Sequence, residues 1–289
     1  MQLEKKLAEG AFVVLAEMEP PKGVEVAGLV SQAMAVRGKV DAFVVPEMSS
    51  AVMRLSSLGV SLLLASRGLE TVMQVCCRDR NRLALQADLL AAGALGIPNV
   101  MGVAGDDITF GDHHTAKAVD DLTLEELLQG MNTLMTGRDL AGIELKGAPR
   151  FFVGSTVNPG AAHLEAELAA LDRKLAAGAR FFITPPIFSV EVLDAFRKRA
   201  GGRPMYLLTT VLLLKSVGMA RYIQRHLGQI QVPEALVSRI QKAPERVREC
   251  VQIAAELVKA FKDRGVSGVV ISTLGWEDRL PAILSAAGI

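Results

Sequence analysis

Residues 12–23 read FVVLAEMEPPKG, an apolar run rich in β-branched residues that ends in two carboxylates and a double proline. Such a run favours a β-strand, and proline cannot continue one because its nitrogen carries no hydrogen to donate. The stretch therefore predicts a first strand that ends near the acidic residues and passes into a turn. A dinucleotide-binding sheet would carry a GxGxxG sequence in this first turn, and EMEPPKG stands there instead.

Seven further strand-like runs follow, and they are nearly continuously apolar, as expected of parallel strands covered on both faces. Amphipathic helical patterns lie between them, for example after Thr123, which forms a capping-box sequence with Glu126. Without a linker rich in proline or serine, this alternation predicts one (β/α)8 TIM barrel over residues 1–289, with a doubly wound open sheet as the alternative. The predicted strands span residues 12–18, 41–46, 71–77, 99–105, 150–157, 181–187, 205–213 and 268–274.

Composition excludes several classes of partner. Half of the residues are hydrophobic and 22% are charged, so the chain can bury a large core. The 32 Lys and Arg residues nearly balance the 31 Asp and Glu residues, which gives no net field for nucleic acid or an anionic membrane surface. The three cysteines form neither a disulfide framework nor a CxxC pattern, and no uncharged stretch reaches the roughly 20 residues of a membrane span. We therefore predict a cytoplasmic protein without membrane insertion.

If the chain forms a barrel, the residues at the carboxyl ends of the strands become candidates for chemistry. Glu17 ends the first strand between the apolar neighbours Leu15 and Met18, which would raise its pKa and allow it to donate a proton near neutrality. The alternative is a carboxylate that is simply solvated at a strand end. Glu19 competes for the same role, but the prolines favour its placement in the turn.

The segment after the fourth strand is also rich in polar groups. Asp106 and Asp107 follow a glycine that would let the backbone approach a ligand closely. Asp112, His113 and His114 suggest a metal ion, but adjacent histidines on a loop have no ligand spacing, so we predict a solvated loop and no metal site.

Two arginines follow the third strand in the sequence CRDRN. Arg78 and Arg80 could bind a phosphate group. Alternatively, they belong to a charged helix start that Asp79 caps.

Five stretches taken together resemble the methylenetetrahydrofolate reductase family, in the family's order and over essentially the whole chain. Membership implies a single flavin-binding (β/α)8 barrel that reduces 5,10-methylenetetrahydrofolate to 5-methyltetrahydrofolate. The stretches are EMEPPKG (17–23), DAFVVPEMSSAVMRLSSL (41–58), CRDRNRLALQADLLAAGALGIPNVMGVAGD (77–106), VGSTVNPG (153–160) and DRKLAAGARFFITPP (172–186).

The resemblance also implies roles for individual residues. Glu17 matches the general acid that protonates the folate, so that the methylene bridge opens to an electrophilic iminium. Asp106 matches the carboxylate near the flavin and the pterin, where its charge would influence the reduction potential of the cofactor. Arg173 and Lys174 match a basic pair that faces the phosphate region of the flavin, although the pair could equally be solvated. The residues expected to contact the cofactor are Gln74, Ala104, Gly105, Asp106, Gly154, Asn158, Arg173 and Lys174.

The chain departs from the family pattern at three strand positions. Pro46 replaces a polar group that is common at the end of strand two, and Gln74 replaces a histidine that is common in strand three. Pro185 stands where a glutamine commonly holds the pterin, and proline can offer only its carbonyl. With only one Trp and two Tyr residues, a stacking partner for a nicotinamide is also hard to find.

These observations predict a flavin-dependent folate reductase with FAD favoured over FMN, working as a homo- or hetero-oligomer. Its electrons would come from NAD(P)H or from a partner protein. Two alternatives stay open: a folate-dependent methyl-transfer barrel that needs no flavin, and a reductase-like partner subunit with altered or lost folate turnover.

Overall fold

A computed structural model describes residues 2–228 and 230–289, and its strands close into a single barrel in the order of the chain. All neighbouring strands pair in parallel, including the first with the last. This architecture confirms the predicted (β/α)8 TIM barrel and excludes the open doubly wound sheet. The strands are β1 (Val13–Glu17), β2 (Ala42–Val45), β3 (Thr71–Cys76), β4 (Asn99–Val103), β5 (Phe152–Thr156), β6 (Phe181–Pro186), β7 (Tyr206–Leu212) and β8 (Gly268–Ser272).

At least one helix follows every strand, and three helices follow β7. The predicted capping box is confirmed, with reciprocal bonds between Thr123 and Glu126 at the start of the helix that follows β4. The helices are α1 (Gln2–Ala8), α2 (Ala27–Ala35), α3 (Ser57–Ala65), α4 (Arg82–Ala94), α5 (Leu124–Met135), α6 (Leu164–Ala176), α7 (Val190–Ala200), α8 (Val217–His226), α9 (Glu234–Lys242), α10 (Arg246–Asp263) and α11 (Leu280–Ala287). Among the described residues, no helix is long and apolar enough to cross a membrane.

Each strand lies inside the run of sequence predicted for it, because strands buried on both faces are marked by continuous apolar residues. β1 ends at Glu17, and Glu19, Pro20 and Pro21 lie in the irregular segment that follows it. Glu17 is therefore the last residue of the strand, as the sequence predicts, although the N–H of Met18 still donates to the carbonyl of Val44 in β2 over 2.9 Å.

The core has an inner and an outer part. Side chains of alternate strand residues, such as Leu15, Val72 and Phe181, fill the barrel, while the opposite strand faces pack against the helices. Helix α1 contributes Leu3 and Leu7 to the inner part, and its first backbone N–H groups donate to the carboxylate of Glu70 just before β3. Helix α1 therefore closes the amino-terminal end of the barrel, opposite the end where Glu17 lies.

Candidate active site

Two polar side chains meet inside the carboxyl end of the barrel, which we call the mouth. Glu17 ends β1, and Ser272 ends the neighbouring strand β8. The hydroxyl of Ser272 donates a hydrogen bond to Oε1 of Glu17 over 2.6 Å. No donor among residues 2–228 and 230–289 contacts Oε2 of Glu17. One carboxyl oxygen is thus held by the barrel, and the other is available to a ligand.

The environment of Glu17 suits proton transfer near neutrality. Burial raises its pKa from the ordinary 4.5 to about 7, the hydrogen bond from Ser272 opposes this rise, and the negative charges of Glu19 and Glu277 add to it. A carboxyl group with this pKa can both hold and release a proton at physiological pH.

Glu19 occupies a different environment from Glu17. It lies beyond the end of β1 and forms an ion pair with Arg54, whose Nε is 3.0 Å from Oε1 of Glu19. The same guanidinium donates to the carbonyl of Pro20 over 3.2 Å. Burial raises the pKa of Glu19, and Arg54 opposes the rise. Arg54 thus holds the carboxylate of Glu19 beyond the end of the strand, whereas the carboxyl group of Glu17 is bonded to Ser272.

The loop after β8 adds a buried acid to which the sequence analysis assigned no role. Glu277 is buried, and its Oε1 accepts a hydrogen bond from the N–H of Gly275 over 2.8 Å. Its charge acts on Glu17 in the same direction as that of Glu19. Its position in the loop after a strand is the signal that could have identified it, whereas its burial could not be read from the sequence.

Asp106 lies in the loop after β4 and is bound to the loop after β2. Its Oδ2 accepts a hydrogen bond from the N–H of Ser50 over 2.6 Å. Met48, Ser50 and Ala51 all have positive φ angles, between 47° and 57°, which L-residues adopt at a cost. The carboxylate of Asp106 therefore helps to hold an unusual backbone at the mouth.

The two arginines after β3 are engaged with protein groups. Arg78 forms a two-bond ion pair with Asp79, and Arg80 pairs with Glu47 and Asp88. The structure thus favours the charged helix start over a phosphate site. The predicted cap was wrong, however, because Asn81 accepts the capping hydrogen bond of α4, and Asp79 is turned towards Arg78.

Ala104 and Gly105, two predicted cofactor contacts, also have structural roles. The carbonyl of Ala104 accepts a hydrogen bond from the N–H of Arg78 over 3.2 Å. Gly105 has a φ of 99°, and a Cβ there would lie 2.5 Å from the Sγ of Cys76 and 2.9 Å from the Cβ of Arg78. Close packing of two loops therefore requires glycine at this position, whether or not a ligand approaches it.

Gln74, another predicted cofactor contact, presents its side-chain amide to the inside of the barrel. It lies in β3 two residues after the inward-facing Val72, so its side chain points into the barrel near the mouth. Its Oε1 lies 3.4 Å from the N–H of Glu47, and its Nε2 has no acceptor within the described part of the chain. The amide can therefore donate a hydrogen bond to a bound group.

Gly154 and Asn158 lie at β5 and in the loop that follows it. The ring of Phe181 occupies the space that a side chain at position 154 would need, so Gly154 makes room for an inner-core phenylalanine. The Oδ1 of Asn158 accepts a hydrogen bond from the N–H of Gly160 over 2.9 Å, and its own N–H donates to Glu167. Their roles as cofactor contacts stay predictions.

Arg173 and Lys174 are adjacent on α6 but point in different directions. Arg173 is exposed and pairs with Glu125 of α5 over 3.1 Å. Lys174 is buried and donates to the carbonyl of Thr156, at the end of β5, over 2.8 Å. Burial lowers the pKa of Lys174, and the charge of Glu167 opposes this effect. Of the two, Lys174 is the residue whose ammonium group contacts the carboxyl end of a strand.

Pro185 offers a ligand no hydrogen-bond donor, only its carbonyl oxygen. That carbonyl accepts a hydrogen bond from the hydroxyl of Thr184 over 2.7 Å. The hydroxyl of Thr184 also accepts a hydrogen bond from the N–H of Thr210 over 3.1 Å. A ligand that needs a hydrogen-bond donor at this strand end must therefore find it on a residue other than Pro185.

The polar loop after β4 is bound by internal pairs. Asp112 pairs with Lys22 and with Nδ1 of His113, and it accepts the N–H of Met53 over 3.1 Å. Within residues 2–228 and 230–289, no group of three or more His, Cys, Asp or Glu side chains is arranged to hold a metal ion. The loop thus connects the ends of three strands by hydrogen bonds and ion pairs.

Comparison with known proteins agrees with the fold. The family model described as methylenetetrahydrofolate reductase matches residues 2–288. No curated protein sequence matches the chain. A solved structure described as an uncharacterized protein from Clostridium thermocellum that binds two copies of 5-methyl-5,6,7,8-tetrahydrofolic acid has the same fold, with a TM-score of 0.66, 12% identity, and coverage of 99% of this chain and 97% of that one. Since the family match extends over nearly every residue of the barrel, the chain belongs to the methylenetetrahydrofolate reductase family.

Proposed function

We propose that the protein is a flavin-dependent reductase that converts 5,10-methylenetetrahydrofolate to 5-methyltetrahydrofolate, with Glu17 as the proton donor. One observation carries the proposal: Glu17 is a carboxyl group with a pKa of about 7 at the mouth, whose Oε1 accepts a hydrogen bond from Ser272 and whose Oε2 accepts none from the part of the chain that the structure describes. Family membership supports the substrate class, and so does the methyltetrahydrofolate named for the Clostridium thermocellum structure.

The residues at the mouth fit a flavin and a folate. The side-chain amide of Gln74 suits a carbonyl oxygen of the flavin ring, and Gly105 lies against Cys76, two residues further along the same strand. Asp106 would exchange its hydrogen bond with Ser50 for one with the ligand. Lys174 lies at the end of β5, where it could meet an anionic group of the cofactor. Arg173, in its pair with Glu125, would have to move to do the same.

When bound, the flavin supplies the hydride that reduces the methylene group. The protein supplies the proton: Oε2 of Glu17 transfers it to the folate, and the bridge opens to the electrophilic iminium. The resulting carboxylate keeps the hydrogen bond from Ser272, so the donor returns to the same position after each turnover.

FAD rather than FMN is the proposed cofactor, and the electrons come from NAD(P)H or from a partner protein in a homo- or hetero-oligomer. The single Trp and two Tyr residues favour the partner protein, since few aromatic side chains can stack on a nicotinamide. A second candidate function is a reductase-like subunit without folate turnover. It is favoured by Pro185, whose carbonyl is already bonded to Thr184.

The test begins with the absorption spectrum of the purified protein and extraction of its cofactor. We expect a yellow protein, or one that becomes yellow on reconstitution with FAD or FMN. A protein that stays colourless would contradict the flavoenzyme and favour the methyl-transfer alternative. Anaerobic reduction with NADH and with NADPH then identifies the donor, and failure of both would favour a partner protein.

Glu17→Gln tests the proton donor directly. The amide keeps the shape of the side chain but cannot deliver a proton, so we expect flavin binding to persist and folate reduction to fall by roughly 100-fold or more. Glu19→Gln is the matched control: it changes a neighbouring carboxylate that Arg54 holds in the turn, and it should keep turnover within about tenfold of the wild type. Equal losses in the two variants would exclude Glu17 as the specific donor.

A further inference from the structure

The hydroxyl of Ser272 touches the proposed proton donor although the two residues are 255 positions apart in the chain. Strand pairing at the closure of the barrel brings the two residues together, because β1 and β8 are neighbours and Ala16 lies opposite Ile271. Glu17 follows Ala16 and Ser272 follows Ile271, and both side chains point into the barrel. Ser272 is 4% exposed, so water does not compete for its hydroxyl. The contact is therefore built into the sheet.

The direction of this hydrogen bond determines which oxygen of Glu17 carries the proton. An ionised carboxylate can only accept hydrogen bonds, so the single hydrogen of the Ser272 hydroxyl is donated to Oε1 when Glu17 is ionised. A protonated carboxyl group has one acidic hydrogen, which is repelled from an oxygen that already accepts a donor. The acidic proton is therefore favoured on Oε2, the oxygen that no donor contacts within residues 2–228 and 230–289.

The neighbouring carboxylate of Glu277 acts in the opposite sense. It is buried, the N–H of Gly275 fixes its Oε1, and its charge favours the protonated form of Glu17. Ser272 favours the ionised form, since its hydroxyl donates to the carboxylate. Removal of the Ser272 hydroxyl should therefore raise the pKa of Glu17, whereas removal of the Glu277 charge should lower it.

Resting on the proposed function, we propose that Ser272 is a positioning residue of the reaction: its hydroxyl holds Oε1 of Glu17 so that Oε2 presents the proton to the folate. In the step, the O–H bond at Oε2 breaks and an N–H bond forms on the folate. The negative charge left on Glu17 is stabilised by the same Ser272 hydrogen bond, which persists throughout.

Loss of this hydroxyl should affect the chemical step more than substrate binding. In Ser272→Ala, the carboxyl group is free to rotate, so we expect kcat to fall about tenfold with little change in KM. The titration midpoint of Glu17 should rise by about one pH unit, because its carboxylate loses a hydrogen bond. Ser272→Thr keeps a hydroxyl on the same carbon and should restore both values.

The decisive experiment measures Glu17 itself in the protein without folate. Carbon-13 NMR of glutamate-labelled protein reports the carboxyl titration, and the Glu17 signal is assigned by its loss in Glu17→Gln. Ser267→Ala is the control, since its hydroxyl accepts the N–H of Leu207 at the opposite end of the barrel and its removal leaves Glu17 untouched.

A midpoint that rises in Ser272→Ala and stays at the wild-type value in Ser272→Thr and Ser267→Ala supports the proposal. A Ser272→Ala midpoint equal to that of the wild type overturns it, whatever the enzyme assay gives. Absence of folate reduction in the wild type would contradict the proposed function. The titration could still be interpreted, because it requires no turnover.

Discussion

Arg78 joins two loops at the mouth of the barrel, with its Nη1 donating to the backbone carbonyl of Asp106 over 2.9 Å. Its Nη2 also donates to the carbonyl of Met48 over 3.2 Å, and Asp79 completes the set with a two-bond ion pair. The side chain is 4% exposed. One buried guanidinium therefore connects the loops after β2, β3 and β4. It holds the backbone of Asp106, the proposed ligand residue.

Arg78→Lys should destabilise the protein by about 2 kcal/mol, because an ammonium group cannot reach both carbonyls and the carboxylate from one position. Urea unfolding measures the change. Arg82→Lys is a matched control, since Arg82 also makes a forked pair, with Asp121, but is half exposed to solvent. The Arg82→Lys variant should unfold at the same urea concentration as the wild type. An Arg78→Lys variant as stable as the wild type would show that the guanidinium is not needed to join the loops.

Gly105→Ala should destabilise the protein by about 3 kcal/mol, through a left-handed backbone and overlap of the new methyl group with Cys76 and Arg78. Gly96→Ala separates the two effects. Gly96 also has a positive φ, of 83°, but a Cβ there would meet no atom within 4 Å. We expect it to lose only about 1 kcal/mol in urea unfolding. Equal losses of unfolding free energy in the two variants would mean that the new methyl group at position 105 is accommodated without cost.

The barrel and its strand ends could be predicted from the sequence because both depend on local signals. Continuous apolar runs mark strands that are covered on both faces, and Pro20 with Pro21 marks where β1 must stop. Once the fold is a barrel, Glu17 and Asp106 follow as residues of the mouth, since chemistry in barrels lies at the carboxyl ends of the strands.

The contacts that tune these residues could not be predicted, because they join segments far apart in the chain. Ser272 meets Glu17 only when the last strand closes on the first, and Ser50 meets Asp106 across two loops. The role of α1 was also missed. Its seven residues carry too short an apolar pattern to reveal that Leu3 and Leu7 would fill one end of the barrel.

Leu3→Ala should cost about 3 kcal/mol in urea unfolding, because the fully buried side chain packs with the inner residues of the strands and its loss leaves a cavity. Leu83→Ala makes the same change at a side chain that is 73% exposed, and it should leave the unfolding midpoint unchanged. If Leu3→Ala also unfolds like the wild type, α1 does not contribute to the stability of the barrel.

Glu17→Gln should stabilise the protein in a pH-dependent way. Burial raises the pKa of Glu17 from 4.5 to about 7 in the folded state. Below pH 4.5 the residue is protonated in both the folded and the unfolded state, so the wild type and the variant should be similarly stable. As the pH rises from 4.5 to 7, the unfolded chain ionises first, and the wild type loses stability that the uncharged glutamine retains.

The difference should reach about 3 kcal/mol in favour of Glu17→Gln above pH 7 and then stay constant, since one pKa unit corresponds to about 1.4 kcal/mol. Urea unfolding at several pH values between 4.5 and 8 measures it, with Ser267→Ala as a control whose offset from the wild type should not vary with pH. A pH-independent offset for Glu17→Gln would mean that Glu17 ionises as readily in the folded barrel as in the unfolded chain. Such a carboxylate would hold no proton at neutral pH, and the proposed donor would have to be found elsewhere at the mouth.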